Sequence, residues 1–148
     1  MEKFVSPCKG TIHNIEKFPD EIIASKAMGD GFSISLSGNK VYAPFSGEVK
    51  VMYPTGHAIC LESAEGIQLM IHIGIDTFKI QGLNKVYVKV GDKVEAGDLL
   101  IETNVEELIK RTGNSETAFV FLGGEKVQLI KEEVEIDYLQ SEILEITK

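Results

Sequence analysis

Glycines and turn clusters interrupt this chain every several residues, and short runs rich in β-branched residues lie between them. The runs fall at residues 40–43, 48–53, 58–62, 67–73, 85–90, 99–102, 118–121, 126–130 and 142–147. Runs of that length, closed by turn residues, read as strands. Many short strands joined by glycine-rich turns fold as a sandwich or a barrel. One segment follows a different pattern. Asn104 can cap a helix, with Glu107 three residues on as its capping-box partner. Val105, Leu108 and Ile109 then share a face, Lys110 and Arg111 suit the C-terminal end, and Gly113 suits the exit.

The 148 residues fit one domain, 1–148, long enough to bury a core. Nothing approaches the ~20 consecutive apolar residues of a membrane span. The N-terminus has no apolar signal core, so the chain is expected to be cytoplasmic and complete from its first residues. A net charge of −8 argues against nucleic acid, which needs clustered Lys and Arg, and favours docking to a basic protein. Cys8 and Cys60 form no metal-type pair and read as reduced, packed thiols.

A weak repeat runs through the first third of the chain. Ser6-Pro7-Cys8-Lys9-Gly10-Thr11-Ile12 and Ala43-Pro44-Phe45-Ser46-Gly47-Glu48-Val49 share Pro-x-x-Gly-x-aliphatic. Later, residues 90–98 hold two Gly-Asp turns around Val94. These turns resemble those of lipoyl and biotinyl carrier domains, but the Met-Lys attachment hairpin of such domains is missing.

Of the three histidines, His57 and His72 form the informative pair. They sit on two runs separated by Ser63-Ala64-Glu65-Gly66, a composition suited to a type I turn. A hairpin folded symmetrically about Ala64 and Glu65 sets His57 directly opposite His72, with Cβ atoms ~4.5–5.5 Å apart. Ile59, Leu61, Gln68 and Met70 would share that face, and Ala58, Cys60, Leu69, Ile71 and Ile73 would take the better buried one. A loop of odd length would slip the register and turn the two rings to opposite faces.

Taken singly, each histidine reads as an ordinary half-buried strand residue. A facing pair supports more. A neutral imidazole, with its usual pKa of ~6.5, is a nucleophile near neutral pH. It can attack phosphorus in line while the second ring donates a hydrogen bond to a phosphoryl oxygen. Thr55, two residues before His57, can bond that ring and fix its tautomer. Gly74, two after His72, leaves the backbone open to approach.

Tyr53-Pro54-Thr55-Gly56-His57-Ala58 and Met70-Ile71-His72-Ile73-Gly74-Ile75-Asp76-Thr77 resemble the histidine motifs of the glucose-class enzyme IIA of the bacterial phosphoenolpyruvate-dependent sugar phosphotransferase system. Gly29-Asp30-Gly31, residues 43–47 and residues 91–98 are similar as well. The resemblance implies an all-β fold, an antiparallel β-sandwich of many short strands with one or two short helices. It implies that HPr phosphorylates His72 at Nε2, that His57 stabilises the phosphoryl group and that Thr55 orients His57. The phosphate would pass to a cysteine of the enzyme IIB domain of a membrane sugar permease, with no cofactor. Asp20 and Asp76 match the acidic flank of the family's site, and Ile22, Ile23, Met28, Met70 and Phe78 match its apolar docking surface. An apolar ring would keep water from phosphohistidine, and acids at its edge would orient a basic partner.

The chain also departs from that family's pattern. Residues 81–85, Gln-Gly-Leu-Asn-Lys, are shorter than the usual Gly-x-Gly-Phe loop and lack its second Gly and its Phe. Gly56 replaces a larger polar residue.

Two rival classes remain in view. A zinc hydrolase needs three protein ligands and an open position. Only two histidines converge here and no His-x-His occurs, so Asp20 or Asp76 would have to complete the set. In the resembled family such a pair can bind zinc when a partner supplies a carboxylate, so weak zinc at His57 and His72 is expected only at an interface. The second rival is a non-catalytic regulator in which partner binding alone matters.

Overall fold

Turn residues at both ends of each short run leave its backbone groups to be satisfied by neighbouring strands, and antiparallel ladders result. The computed structural model describes residues 3–77 and 79–148. In chain order these form β1 (Gly10–Asn14), a 3-10 turn (Ile15–Lys17), α1 (Glu21–Ala24), β2 (Gly31–Leu36), β3 (Lys40–Tyr42), β4 (Gly47–Met52), β5 (Ala58–Ser63), β6 (Gln68–Ile73) and β7 (Asn84–Val86). Then follow β8 (Lys93–Val94), β9 (Leu99–Thr103), α2 (Val105–Thr112), β10 (Glu116–Phe121), β11 (Lys126–Leu129), β12 (Glu135–Ile136) and β13 (Leu144–Thr147).

The largest sheet runs β12-β1-β2-β10-β6-β5-β4-β8, with β3-β9-β7 and β11-β13 as smaller sheets. The main apolar core extends from Phe4 to Leu144 and joins the layers. At its centre the rings of Phe32 and Phe119 stack 4.7 Å apart. Val41, Leu100 and Ile101 of the three-stranded sheet pack into the same core as Ile59, Leu69 and Ile71. This is the antiparallel sandwich with two short helices that the pattern and the resemblance imply.

Two expected runs are shortened for local reasons. The strand in residues 85–90 ends at Val86, after which Tyr87 and Val90 turn outward. The last strand starts at Leu144 because Glu142 has a φ of +59°, which interrupts an extended run. The helix forms where expected. Asn104 Oδ1 accepts from Glu107 N, and Gly113 ends the helix at a φ of +92°. The capping box is only half made: Glu107 turns instead to Arg111 at 2.8 Å, and Asn104 N donates to Leu83 O. Ile109 does not join Val105 and Leu108 in the core but is 45 % exposed.

The sheet order reads the same from either end once β12, β1, β2 and β10 are matched with β8, β4, β5 and β6. The backbone bonds repeat in the same way. Val5 N donates to Pro44 O at 3.0 Å, and Tyr42 N to Pro7 O at 2.8 Å. Gly10 pairs with Ile136 as Gly47 pairs with Val94. At both glycines an added Cβ would strike the neighbouring strand's carbonyl oxygen, at 2.0 Å from Ser35 O and 2.3 Å from Glu62 O. The weak Pro-x-x-Gly repeat therefore marks two equivalent strand starts in an internally duplicated sandwich. The positive φ of Gly91 and Gly97 likewise recurs at Glu133 and Leu139, where side chains conceal it in the sequence.

One face of the large sheet belongs to the main core. On the other, residues 15–30 lie over β2 and β10, and Ile15, Phe18 and Ile23 pack on Met70, Ala118 and Val120. The equivalent connection on the opposite half, residues 53–57, is a short turn. The sheet is left open there.

Candidate functional site

The site stands on that open half, and its geometry starts from the β5–β6 hairpin. Ser63 N donates to Ile67 O and Gly66 N to Ser63 O, with Gly66 at a φ of +89°. The loop is thus the odd-length one, Ala64-Glu65-Gly66, a turn followed by a left-handed residue. The symmetric register is corrected by one position: His72 pairs with Ala58, and Ile59 with Ile71. The faces change accordingly. Ile59 and Leu61 enter the core with Leu69, Ile71 and Ile73, while Cys60, Met70 and Ala58 share the outer face with His72.

The rings nevertheless meet. His57 stands one residue before β5, so the alternation of the ladder does not govern it. Its carbonyl accepts from Ile73 N at 2.7 Å, and Gly56, at a φ of +71°, turns the backbone just ahead of it. The imidazole centroids lie 5.4 Å apart with an interplanar angle of 74°.

Each ring is oriented through Nδ1. His72 Nδ1 donates to Gly74 O at 3.0 Å. A carbonyl can only accept, so the neutral ring carries its proton on Nδ1 and its lone pair on Nε2. Gly74 thus acts through its carbonyl, a role distinct from the openness to approach expected of it. A Cβ there would come within 2.6 Å of Thr77 Cγ2 and 2.8 Å of Leu108 Cδ1, and φ is +73°. Buried Thr77 locks the same turn by donating to Ile73 O at 2.5 Å. The cap at Asn104 therefore serves the site at one remove, since α2 carries Leu108 beneath Gly74.

On the other ring, Thr55 Oγ1 lies 2.6 Å from His57 Nδ1. When the hydroxyl donates, His57 presents an Nε2–H. Burial, and then the neighbouring His72, hold the pKa of His57 below the usual value for histidine. The Tyr53 ring packs against His57 at 5.3 Å, a contact that the Tyr-Pro-Thr-Gly-His spacing could have suggested.

A shallow depression surrounds the pair, lined by Asp20, Ile22, Ile23, Met28, Tyr53, Ala58 and Met70. Asp20 Oδ1 caps α1 by accepting from Ile22 N and Ile23 N at 2.9 and 3.3 Å. That cap aims Ile22 outward, 64 % exposed, and Ile23 inward. Met28 is also exposed, whereas Ile23 and Met70 are buried. Of the residues expected to form a docking surface, Ile22 and Met28 join Tyr53 in the exposed rim of this depression, and Ile23 and Met70 form its floor. Asp76 is exposed at a φ of +57° in the turn after Gly74 and is not among the lining residues. Phe78 lies outside the described residues. Among the described residues no group of three or more His, Cys, Asp or Glu could hold a metal ion. Nor is any helix long and apolar enough to cross a membrane.

Two adjacent imidazoles, each oriented through Nδ1, thus stand on an antiparallel sandwich, an arrangement suited to histidine-based group transfer. Residues 2–127 match the family described as phosphoenolpyruvate-dependent sugar phosphotransferase system, EIIA 1, and the chain belongs to that family. It is 30% identical over 132 residues to the "PTS system glucose-specific EIIA component" of Mycoplasma capricolum, covering 87% of this chain and 86% of that one. It is 36% identical over 130 residues to the "PTS system glucose-specific EIICBA component" of Staphylococcus saprophyticus, 87% of this chain. The matched part spans only 19% of that staphylococcal protein. The solved structure titled "glucose permease IIA from Mycoplasma capricolum" superposes with a TM-score of 0.88 at 27% identity, covering 97% of this chain and 94% of that one.

Proposed function

We propose that the chain is a cytoplasmic phosphoryl carrier that accepts phosphate on His72 Nε2 from HPr and hands it to the enzyme IIB domain of a sugar permease. The observation that carries this reading is the His72 Nδ1 bond to Gly74 O, which leaves the Nε2 lone pair beside the His57 ring. In the first transfer, Nε2 attacks the phosphorus of the donor's phosphohistidine. The donor's N–P bond breaks and its electron pair returns to the donor nitrogen. The proton stays on His72 Nδ1, donated to the Gly74 carbonyl, which steadies the phosphorylated ring. His57 Nε2–H donates to a phosphoryl oxygen as charge builds. In the second transfer, the acceptor's cysteine thiolate attacks the phosphorus, and the electrons of the His72 N–P bond return to Nε2.

Ile22, Met28 and Tyr53 would be covered by the partner and shed water from the phosphoryl group. Asp20 and Asp76, on a chain of net charge −8, suit a partner with a basic rim. The chemistry needs no cofactor. Zinc could bridge His57 and His72 only where a partner's carboxylate completes the set.

Incubating the protein with phosphoenolpyruvate, enzyme I and HPr should yield one acid-labile phosphate by mass. His72→Ala should take up none. His57→Ala should still accept phosphate but pass it on slowly. Normal uptake by His72→Ala would overturn the assignment.

A further inference from the structure

We infer that Asn84 is a positioning residue for His57, acting through Thr55; this rests on the role proposed above for His57. Asn84 opens β7, outside both histidine motifs. Its Nδ2 donates to Thr55 O at 3.3 Å, and Thr55 Oγ1 in turn lies 2.6 Å from His57 Nδ1. Two hydrogen bonds therefore lead from β7 to the ring.

The amide's orientation follows from its partner. The Thr55 carbonyl can only accept, so the NH₂ group must face it. Asn84 Oδ1 is left buried with no hydrogen-bond partner among the described residues. The same holds for Oγ1 of Thr103, the residue paired with Asn84 across the β7–β9 ladder. A buried unsatisfied oxygen is unfavourable, and an apolar side chain of the same shape would avoid it. Among the described residues, what the Asn84 side chain does supply is the Nδ2 donor to Thr55 O.

β7 also presses on the turn itself. A Cβ at Gly56 would come within 2.6 Å of Val86 Cγ2 and 3.3 Å of Asn84 Cβ. The strand fills the space that a side chain at position 56 would take. The turn at Gly56 and the start of β7 thus lie against each other. A backbone turn lacking a side chain of its own is held from outside by Asn84 and Val86.

The consequence falls on the His57 tautomer. With Thr55 held, its hydroxyl donates to Nδ1 and Nε2–H faces the phosphoryl oxygens. With Thr55 loosened, the Nδ1–H tautomer gains population and turns a lone pair toward those oxygens.

The test uses the full chain with Asn84→Asp, which keeps the shape and removes the donor, and Asn84→Leu, which removes both polar atoms. Imidazole ¹⁵N shifts are read without phosphate. In both variants His57 Nδ1 and Nε2 should move toward an exchanging tautomer mixture while His72 stays put. Onward transfer should fall about tenfold with phosphate uptake still complete. Unshifted His57 nitrogens, or His72 moving equally, would overturn the inference. If the wild-type chain takes no phosphate, the proposed function fails, yet the ¹⁵N shifts still decide whether Asn84 sets the ring.

Discussion

The His57 ring lies 5.4 Å from the ring of His72, although the residue paired with His72 across the β5–β6 ladder is Ala58. Two separate devices produce that approach. A three-residue loop sets the ladder, and the Gly56 turn frees His57 from it.

The loop depends on Gly66. Its φ is +89°, and an added Cβ would meet nothing within 4 Å. Gly66→Ala should therefore cost only backbone strain, about 1–2 kcal/mol in urea unfolding. Phosphate uptake should be unchanged, because no contact of the site is touched. An unaltered unfolding midpoint would show that the loop takes another form in solution.

His57 titrates below the usual ~6.5 because it is buried and because His72 is beside it. The unfolded chain then binds a proton at this position before the folded one does. The stability contributed by neutral His57 is complete above about pH 6.5 and is lost as pH falls through that value toward the folded pKa. The urea midpoint should drop more between about pH 7.5 and 5.5 in the wild type than in His57→Gln. In His72→Gln, which removes only the lesser cause, the NMR titration of His57 should move up but stay below the usual value. A shift to or above that value would contradict burial as the main cause.

The half-made capping box separates two residues that the sequence treats as partners. Asn104→Ala removes the bond to Glu107 N and should cost about 1 kcal/mol. Glu107→Ala loses only a surface pair with Arg111 and should have the smaller effect. Equal losses by thermal unfolding would mean that the reciprocal bond forms after all.

The two thiols should differ in access. Cys8 is fully buried and Cys60 half-buried, and burial raises both pKa values, that of Cys8 further. An aromatic disulfide reagent should label Cys60 slowly in the native protein and Cys8 only on unfolding. Rapid native labelling of Cys8 would contradict its place in the core.

Much of the architecture was legible because turn residues carry their own chemistry. Asn104 and Gly113 mark the helix, and the Pro-x-x-Gly repeat marks two strand starts. Thr55 and His57 are two residues apart, close enough for spacing alone to suggest their bond. The hairpin register was less legible, since Ser63-Ala64-Glu65-Gly66 suits either loop length and only the fold selects one. Residues 31–36 alternate apolar and polar clearly enough to have been read as a strand. Asn84 carries no local signal at all. Its importance comes from a contact with Thr55 that only the packing of β7 creates. Asp20 was legible only as an acid flanking the site, and the fold also makes it the cap that aims Ile22 at the rim.

The duplicated sheet offers two equivalent positions for chemistry, and this chain uses one. Where one half carries His57 and His72, the other carries Asp30 and Val120, matched by the registers Ala58 to His72 and Gly31 to Val120. Residues 15–30 roof the second position and only edge the first, whose other border is the tight bend of residues 53–57. The paired imidazoles therefore stand on the one half of the doubled sheet that no long connection covers.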